Sequence, residues 1–336
     1  MTGKEESFTP IHALQGILIG IVLFLTVFGI FAVGFPDVIS RIPHVAIDNS
    51  IPAGPPIPVN RSFTFQNNSL SITIAVNASV YAASKKSPRA TFLIGDQKTT
   101  FTRYYRAMID DPTQEPIYTD LLGRFRQIRS ERNLSDDEYL ELIAAYVQTI
   151  PYWHGGNTPP RYPAELLVEN VGDCDDKSIL LAGLLARENY SVVLFRFGPE
   201  KHMAVGVKSD AFPYKSTGFT FLEAMAPAYV GVPSSFITEN WLLYSDPLVL
   251  PVSTGTRVYR SGEMTAAIDN MSRLAEGKAE ELSLRLEEAS PGEVNGTEYA
   301  LVLAQRDRYA AIHRYILDHP LDRQGAYDYL KREMPA

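Results

Sequence analysis

Cysteine is nearly absent from the chain: Cys174 is the only one in 336 residues. A single thiol cannot close a disulfide within one chain, so a disulfide framework is excluded. No C-x-x-C, H-x-x-x-H or P-loop pattern occurs either, and neither a metal nor another cofactor is expected. Positive charge is in deficit, with 31 Lys and Arg against 39 Asp and Glu for a formal charge of −8. That balance offers no basic face for nucleic acid. There is also no block of like charge that would make an interaction tail, and no low-complexity tract or sequence repeat. At this length the chain has room for about two domains and can bury a full core without staples.

One segment lacks charge altogether. From Ser7 to Pro36 there is no Lys, Arg, Asp or Glu, and Gly16 to Phe35 is an apolar run of 20 residues. As a helix rising about 1.5 Å per residue it would span a bilayer core of about 30 Å, and it exceeds the ~7–15 residue core of a cleaved signal peptide. The expectation is an uncleaved single-pass anchor in the cell membrane over residues 1–36, with the N-terminus inside and the globular region extracytoplasmic. Sequons N-x-S/T at Asn60, Asn67, Asn77, Asn133, Asn189, Asn270 and Asn295 take up seven of the twelve asparagines and predict glycosylation on that side. Asn189 is the least favoured of them, being close to packed structure.

Pro36, Pro43, Pro52, Pro55, Pro56 and Pro58 make residues 37–59 an extended spacer. Residues 60–118 read as β-rich: Ser62 to Ala83 alternates polar and apolar residues around a "QNNS" turn, and "RATFLIG" and "KTTFTRYYRAM" would add strands. Residues 119–258 carry the main domain. Helical patterning begins at "IYTDLLGRFRQIRSER"; Ser135 and Glu138 then form a capping box ahead of "YLELIAAYVQTI", which Pro151 stops. "PYWHGGNTPPRYP" is a Gly/Pro loop with exposed aromatics. The next helix opens at Cys174 and places Ile179, Leu180, Leu184 and Leu185 on one face. Three strands follow in "SVVLFRFG", "HMAVGVKS" and "GFTFLEAMA", and "LLYSDPLVLPVSTG" looks like an edge strand or arm. Residues 259–336 are charged and helix-favouring, a helical hairpin broken at "SPGEVNG". A helix feeding an antiparallel set of strands is an α+β arrangement.

Cys174 lies between Asp173 and the pair Asp175, Asp176. Asp173 is placed to be the helix N-cap and Asp176 a first-turn carboxylate. The helix terminus favours a thiolate and the three carboxylates oppose it, so the thiol would stay near its ordinary value of about 8.5 without a cationic partner. His202, opening the second strand after the cysteine helix, supplies one: a thiolate–imidazolium pair attacks at neutral pH and then protonates the leaving group. Glu223, on the strand that turns back beside His202, would orient the imidazole. Besides the backbone N–H of Cys174, a second oxyanion donor should come from the upstream loop, where Gln148, Tyr152 and Trp153 are the candidates. His154 is more simply structural. The three aspartates lack the alternating oxygens, central Gly and terminal Glu of an EF-hand, so Ca²⁺ is not expected.

In order along the chain stand "QTIPY", "GDCDDKS", "HMAVGV" and "FLEAMAP". Taken together these motifs resemble the transglutaminase-like superfamily, in particular its microbial extracytoplasmic members, over roughly Leu134 to Pro233. The resemblance implies a papain-like α+β core, the cysteine helix packed on an antiparallel sheet, with Cys174 as nucleophile, His202 as base and acid, and Glu223 as orienter. It departs from the family's pattern in having Glu where many members use Asp, and in lacking the Thr that often follows. The implied activity is thiol acyl transfer on an amide or peptide outside the membrane, through a thioester that water or an amine resolves. Hydrolysis is slightly favoured, because a single domain facing bulk water must exclude it to cross-link. The alternative is a binding or scaffold module that keeps this fold without the chemistry, its helical tail and β-rich region meeting partners at the cell surface. No member of the triad is missing from the sequence.

Overall fold

The alternation read from Ser62 to Ala83 folds as a hairpin that begins earlier, at Ile57 inside the expected spacer, and ends at Val76, residues 78–83 being helical instead. In the computed structural model, which describes residues 17–27, 29, 42–48, 54–89, 96–154, 158–233, 243–288 and 296–334, β1 (Ile57–Phe65) and β2 (Asn68–Val76) pair antiparallel from Ile57 opposite Val76 to Phe65 opposite Asn68. The chain turns through Gln66 and Asn67, both at positive φ (48° and 58°), as a two-residue primed turn requires. Val59, Phe63 and Phe65 of one strand and Ile72, Ile74 and Val76 of the other face the core.

The predicted strand in "KTTFTRYYRAM" is a helix instead. After α1 (Ala78–Lys86), α2 (Gln97–Ile109) is capped by Asp96 and buries Tyr104, Tyr105, Met108 and Ile109. Those positions repeat at i, i+1, i+4 and i+5, a helical stripe that the aromatic and threonine content disguises as strand. Of "RATFLIG", residues 90–95 lie outside the described ones. α3 (Glu115–Arg132) and α4 (Asp136–Gln148) follow, the latter with the expected Ser135–Glu138 capping box. α3 runs through the predicted boundary at residue 118, and the hairpin, α2 to α4 and the cysteine helix contribute to one continuous core.

A short helix, α5 (Pro163–Glu169), precedes α6 (Cys174–Arg187), and four strands come next: β3 (Ser191–Phe197), β4 (His202–Lys208), β5 (Phe219–Leu222) and β6 (Leu248–Thr254). They form one sheet in the order β5-β4-β3-β6, every pair antiparallel, with β6 at an edge and a bulge at Val192/Val193. α6 packs on the face carrying Val192, Leu194, Met203, Val205 and Leu222. On the opposite face Val193, Phe195, Phe197, Ala204 and Phe221 form a second cluster. The architecture is thus mixed α+β with antiparallel sheets.

Among its described residues the tail holds three helices rather than two: α7 (Gly262–Glu288), α8 (Gly296–Asp318) and α9 (Arg323–Glu333). Pro320 separates the last pair, since proline cannot continue the hydrogen-bond ladder. Several fastenings join them to the body, among them the ion pair of Arg323 with Glu141 of α4. Asp137 accepts the N–H of Arg260 and the hydroxyl of Ser261 at the start of α7, and Tyr229 donates to the carbonyls of Ile316 and His319.

The expected membrane anchor is overturned. Among the described residues no helix is long and apolar enough to cross a membrane. In the N-terminal apolar run, helix is described over residues 17–27, which at about 1.5 Å per residue covers roughly half of a bilayer core. Gly16, Phe28 and residues 30–35 of the predicted span lie outside the described residues. With the anchor goes the placement at the cell membrane, N-terminus inside. Of the sequons, Asn60, Asn67, Asn77, Asn133, Asn189 and Asn270 are exposed. Asn77 caps α1, Asn67 Nδ2 donates to Asp322, and Asn189 Nδ2 to Thr256; Asn295 lies outside the described residues.

Candidate active site

The cysteine helix begins with its acidic residues in reciprocal use. Asp173 Oδ1 accepts the N–H groups of Asp175 and Asp176 at 3.0 and 3.1 Å, and Asp176 Oδ2 accepts that of Asp173 at 3.1 Å. This is the capping arrangement expected of Asp173 and Asp176, and it leaves the N–H of Cys174 out of the cap. Gly172 must be glycine for packing: a Cβ there would stand 2.4 Å from Leu166 Cδ1. Its N–H and carbonyl bond Pro151 O and Trp153 N at 3.2 and 3.1 Å, which fastens the aromatic loop against the cysteine turn.

Cys174 is 6% exposed, and its Sγ lies 3.6 Å from Asp175 Oδ1 and 3.9 Å from the carbonyl of Lys201. The N–H of Met203 also acts on the sulfur. The thiol is therefore bracketed by the residues on either side of His202. Burial, then the charges of Asp175 and Asp173, push this thiol well above its ordinary value, against the Met203 N–H. The helix terminus is thus outweighed by more than sequence reasoning expected.

His202 and Glu223 are both fully buried, with Nε2 and Oε2 3.3 Å apart. Antiparallel pairing of β4 with β5, which sets Val205 opposite Leu222, brings Glu223 back beside the start of β4. The other carboxylate oxygen, Oε1, accepts the N–H groups of Ala224 and Met225 at 3.0 and 2.9 Å. Burial disfavours both charges, yet the pairing prevails: His202 is raised above its ordinary value and Glu223 lowered below its own. Phe197 stacks on the imidazole at 6.1 Å.

Behind the thiol, one turn along α6, Lys177 is wholly buried. Its Nζ donates to the carbonyls of Gln148, Ile150 and Met225 at 3.0, 2.8 and 2.6 Å. One ammonium thereby joins the end of α4, the aromatic loop and the Glu223 turn. Burial pulls it down to about 7, the Glu223 charge working the other way.

Cys174 and His202 open into a cleft of about 610 Å³, whose other walls include Tyr105, Tyr152, His154, Asp175, Arg196 and Lys201. Of the three proposed oxyanion donors only Tyr152 lines it; its hydroxyl lies 3.3 Å from His154 Nδ1. Gln148 is not a donor there, because its Nε2 bonds the carbonyls of Glu223 and Ala228 at 2.8 and 3.1 Å. Trp153 is 48% exposed, does not line the cleft, and carries Arg161 over its ring.

Sequence reasoning counted Asp175 among the carboxylates opposing the thiolate, and gave no role to Lys177, Tyr105 or Arg196. Tyr105 donates to Asp175 Oδ2 at 3.0 Å, and burial with the Asp173 charge pushes Asp175 up to about 6. For Arg196 a signal existed, since it continues the inward alternation Val192, Leu194 with a charge. Among the described residues no group of three or more His, Cys, Asp or Glu could hold a metal ion. No family model, curated protein or solved structure matches the chain, and what the cleft can do is read from its own atoms.

Proposed function

We propose that the chain is a transglutaminase-like thiol enzyme with a papain-like core, which cleaves or transfers amide bonds through a thioester on Cys174. The observation that carries this reading is the bracketing of a buried thiol by Lys201 and Met203 around an imidazole that a fully buried carboxylate holds at 3.3 Å. His202 takes the thiol proton, and the sulfur attacks the amide carbonyl carbon. The resulting oxyanion is met by the N–H of Cys174 and by the Tyr152 side of the cleft. Collapse breaks the C–N bond, the amine leaves with the proton from His202, and a thioester remains. Water then attacks, giving its proton to His202, and a carboxylate and the thiol are released. An amine in place of water gives a new amide. The cleft's open, polar mouth favours water.

A second reading, a binding module with an unused thiol, draws on the burial and flanking carboxylates that keep Cys174 protonated. Peptide p-nitroanilides, with hydroxylamine added to capture the thioester as a hydroxamate, separate the two. Turnover with hydroxamate formation, abolished in Cys174→Ser and His202→Ala, is the expected result. Absence of both products and of any acyl adduct on Cys174 in the folded protein would sustain the binding module.

A further inference from the structure

Arg196 sits where the fold otherwise puts core residues. Val192 and Leu194 precede it on the face of β3 beneath α6, and Met203, also in the core, is its partner across β4. Its guanidinium carbon lies 3.9 Å from the centroid of the Phe101 ring. Phe101 in turn stacks on Tyr105 at 6.2 Å, and Tyr105 holds Asp175 beside the thiol. The guanidinium also lies near Gly198, where an added methyl would come 3.4 Å from Nη1. The head group is thus positioned by a ring and a turn, and no hydrogen bond to another described residue uses its donors. It lines the same cleft as Cys174, as does Lys201, the second cation of that wall.

The carboxylates of the cleft are differently placed. Asp173 spends Oδ1 on two backbone N–H groups, and Asp175 takes the Tyr105 hydroxyl on one oxygen and faces the thiol with the other. Burial raises Asp175 and Arg196 lowers it through its charge, but no hydrogen bond joins the two among the described residues, so the planar fork of N–H donors on Arg196 is left for the cleft. Such a fork matches a carboxylate in two-point contact.

Resting on the thiol chemistry proposed above, we infer that Arg196, assisted by Lys201, receives a carboxylate of the substrate, so that the amide presented to Cys174 belongs to an acidic peptide or a carboxylate-bearing amide. Arginine placed this way acts before chemistry by holding the carbonyl within reach of the sulfur.

The single cysteine allows a direct test with two alkylating agents of similar size, anionic iodoacetate and neutral iodoacetamide. Both need the thiolate, so their rate ratio cancels any change in thiol acidity and reports capture of the carboxylate. Charged hydrogen bonds worth about 1.5–3 kcal/mol predict a ratio about 10-fold or more above that of a free thiol such as glutathione. Iodoacetate should also show saturation, and Arg196→Gln should lower the ratio about 10-fold, with Arg196→Lys in between. A wild-type ratio equal to that of glutathione and unmoved by Arg196→Gln would overturn the inference. So would a ratio below glutathione's that Asp175→Asn restores, since the acidic wall would then set the selectivity. If neither reagent reacts while circular dichroism shows the native fold, the thiol chemistry itself fails and this inference with it.

Discussion

Asp175 should be the brake on Cys174. Its Oδ1 lies 3.6 Å from Sγ, and because the carboxyl titrates at about 6 it is charged where the thiol ionises. At that separation a unit charge costs the thiolate about 1 kcal/mol in bulk water and about 5 kcal/mol at an effective dielectric of about 20. The cleft is open on one side and buried on the other, so the effect belongs between these limits, about one to three pKa units. Asp175→Asn removes the charge while keeping an oxygen for the Tyr105 hydroxyl. The midpoint of the pH–rate profile for iodoacetamide on Cys174 should therefore fall by at least about one unit, and the rate at pH 7 should rise about 10-fold. The His202→Ala background separates the two influences: there the midpoint should stand higher, and Asp175→Asn should still lower it. A midpoint that stays in place, or rises, in a variant with native circular dichroism would refute the reasoning, because no field from Asp175 would then reach the sulfur.

Glu223→Gln keeps the acceptor for Ala224 and Met225 but removes the charge facing His202. His202 is raised from 6.5 and Glu223 lowered from 4.5. The imidazole's share of stability is complete below 6.5 and lost as pH rises through its raised value; the carboxylate's is complete above 4.5 and lost as pH falls through its lowered value. Urea unfolding of wild type and variant should therefore differ most between about pH 4.5 and 6.5, by about 3 kcal/mol, and converge on both sides. Alkylation of Cys174 at pH 7 should fall about 100-fold in the same variant if the imidazole acts as its base. Lys177→Met strands three buried carbonyls, each costing about 1–3 kcal/mol, partly offset because an ammonium no longer has to be buried. A loss of about 3 kcal/mol in urea unfolding is expected, and an unchanged midpoint would show that the tripod contributes nothing.

Much of the candidate site was legible because its motifs are local. A capping box is four residues long, and Asp173, Cys174 and Asp176 declare it; a strand opening on His202 and a third one that ends just before Glu223 follow from turn spacing. What stayed hidden depends on tertiary approach. Gln148 looked like an oxyanion donor by position, but its amide turns to the carbonyls of Glu223 and Ala228, some 75 and 80 residues away in sequence. The strand expected over "KTTFTRYYRAM" failed because β-favouring aromatics occupied a helical stripe. In the same way the apolar run near the N-terminus satisfied a length criterion that the described helix does not reach. Charge and period describe a segment; they do not say which distant carbonyl will claim a side chain.

The lysine behind the thiol also bears on the order in which the protein becomes competent. Its three acceptors lie 29, 27 and 48 positions away along the chain, so the ammonium can leave water only when two segments, the end of α4 with Ile150 and the Glu223 turn, have closed around it. Loop closure of that kind comes late, after the local helices have formed. Until Met225 has been synthesised and docked, Lys177 keeps its hydration shell, the Glu223 turn has no anchor, and the sulfur lacks its imidazole. A nascent or partly unfolded chain therefore exposes an ordinary thiol, and the acyl transfer proposed above would require this closure first.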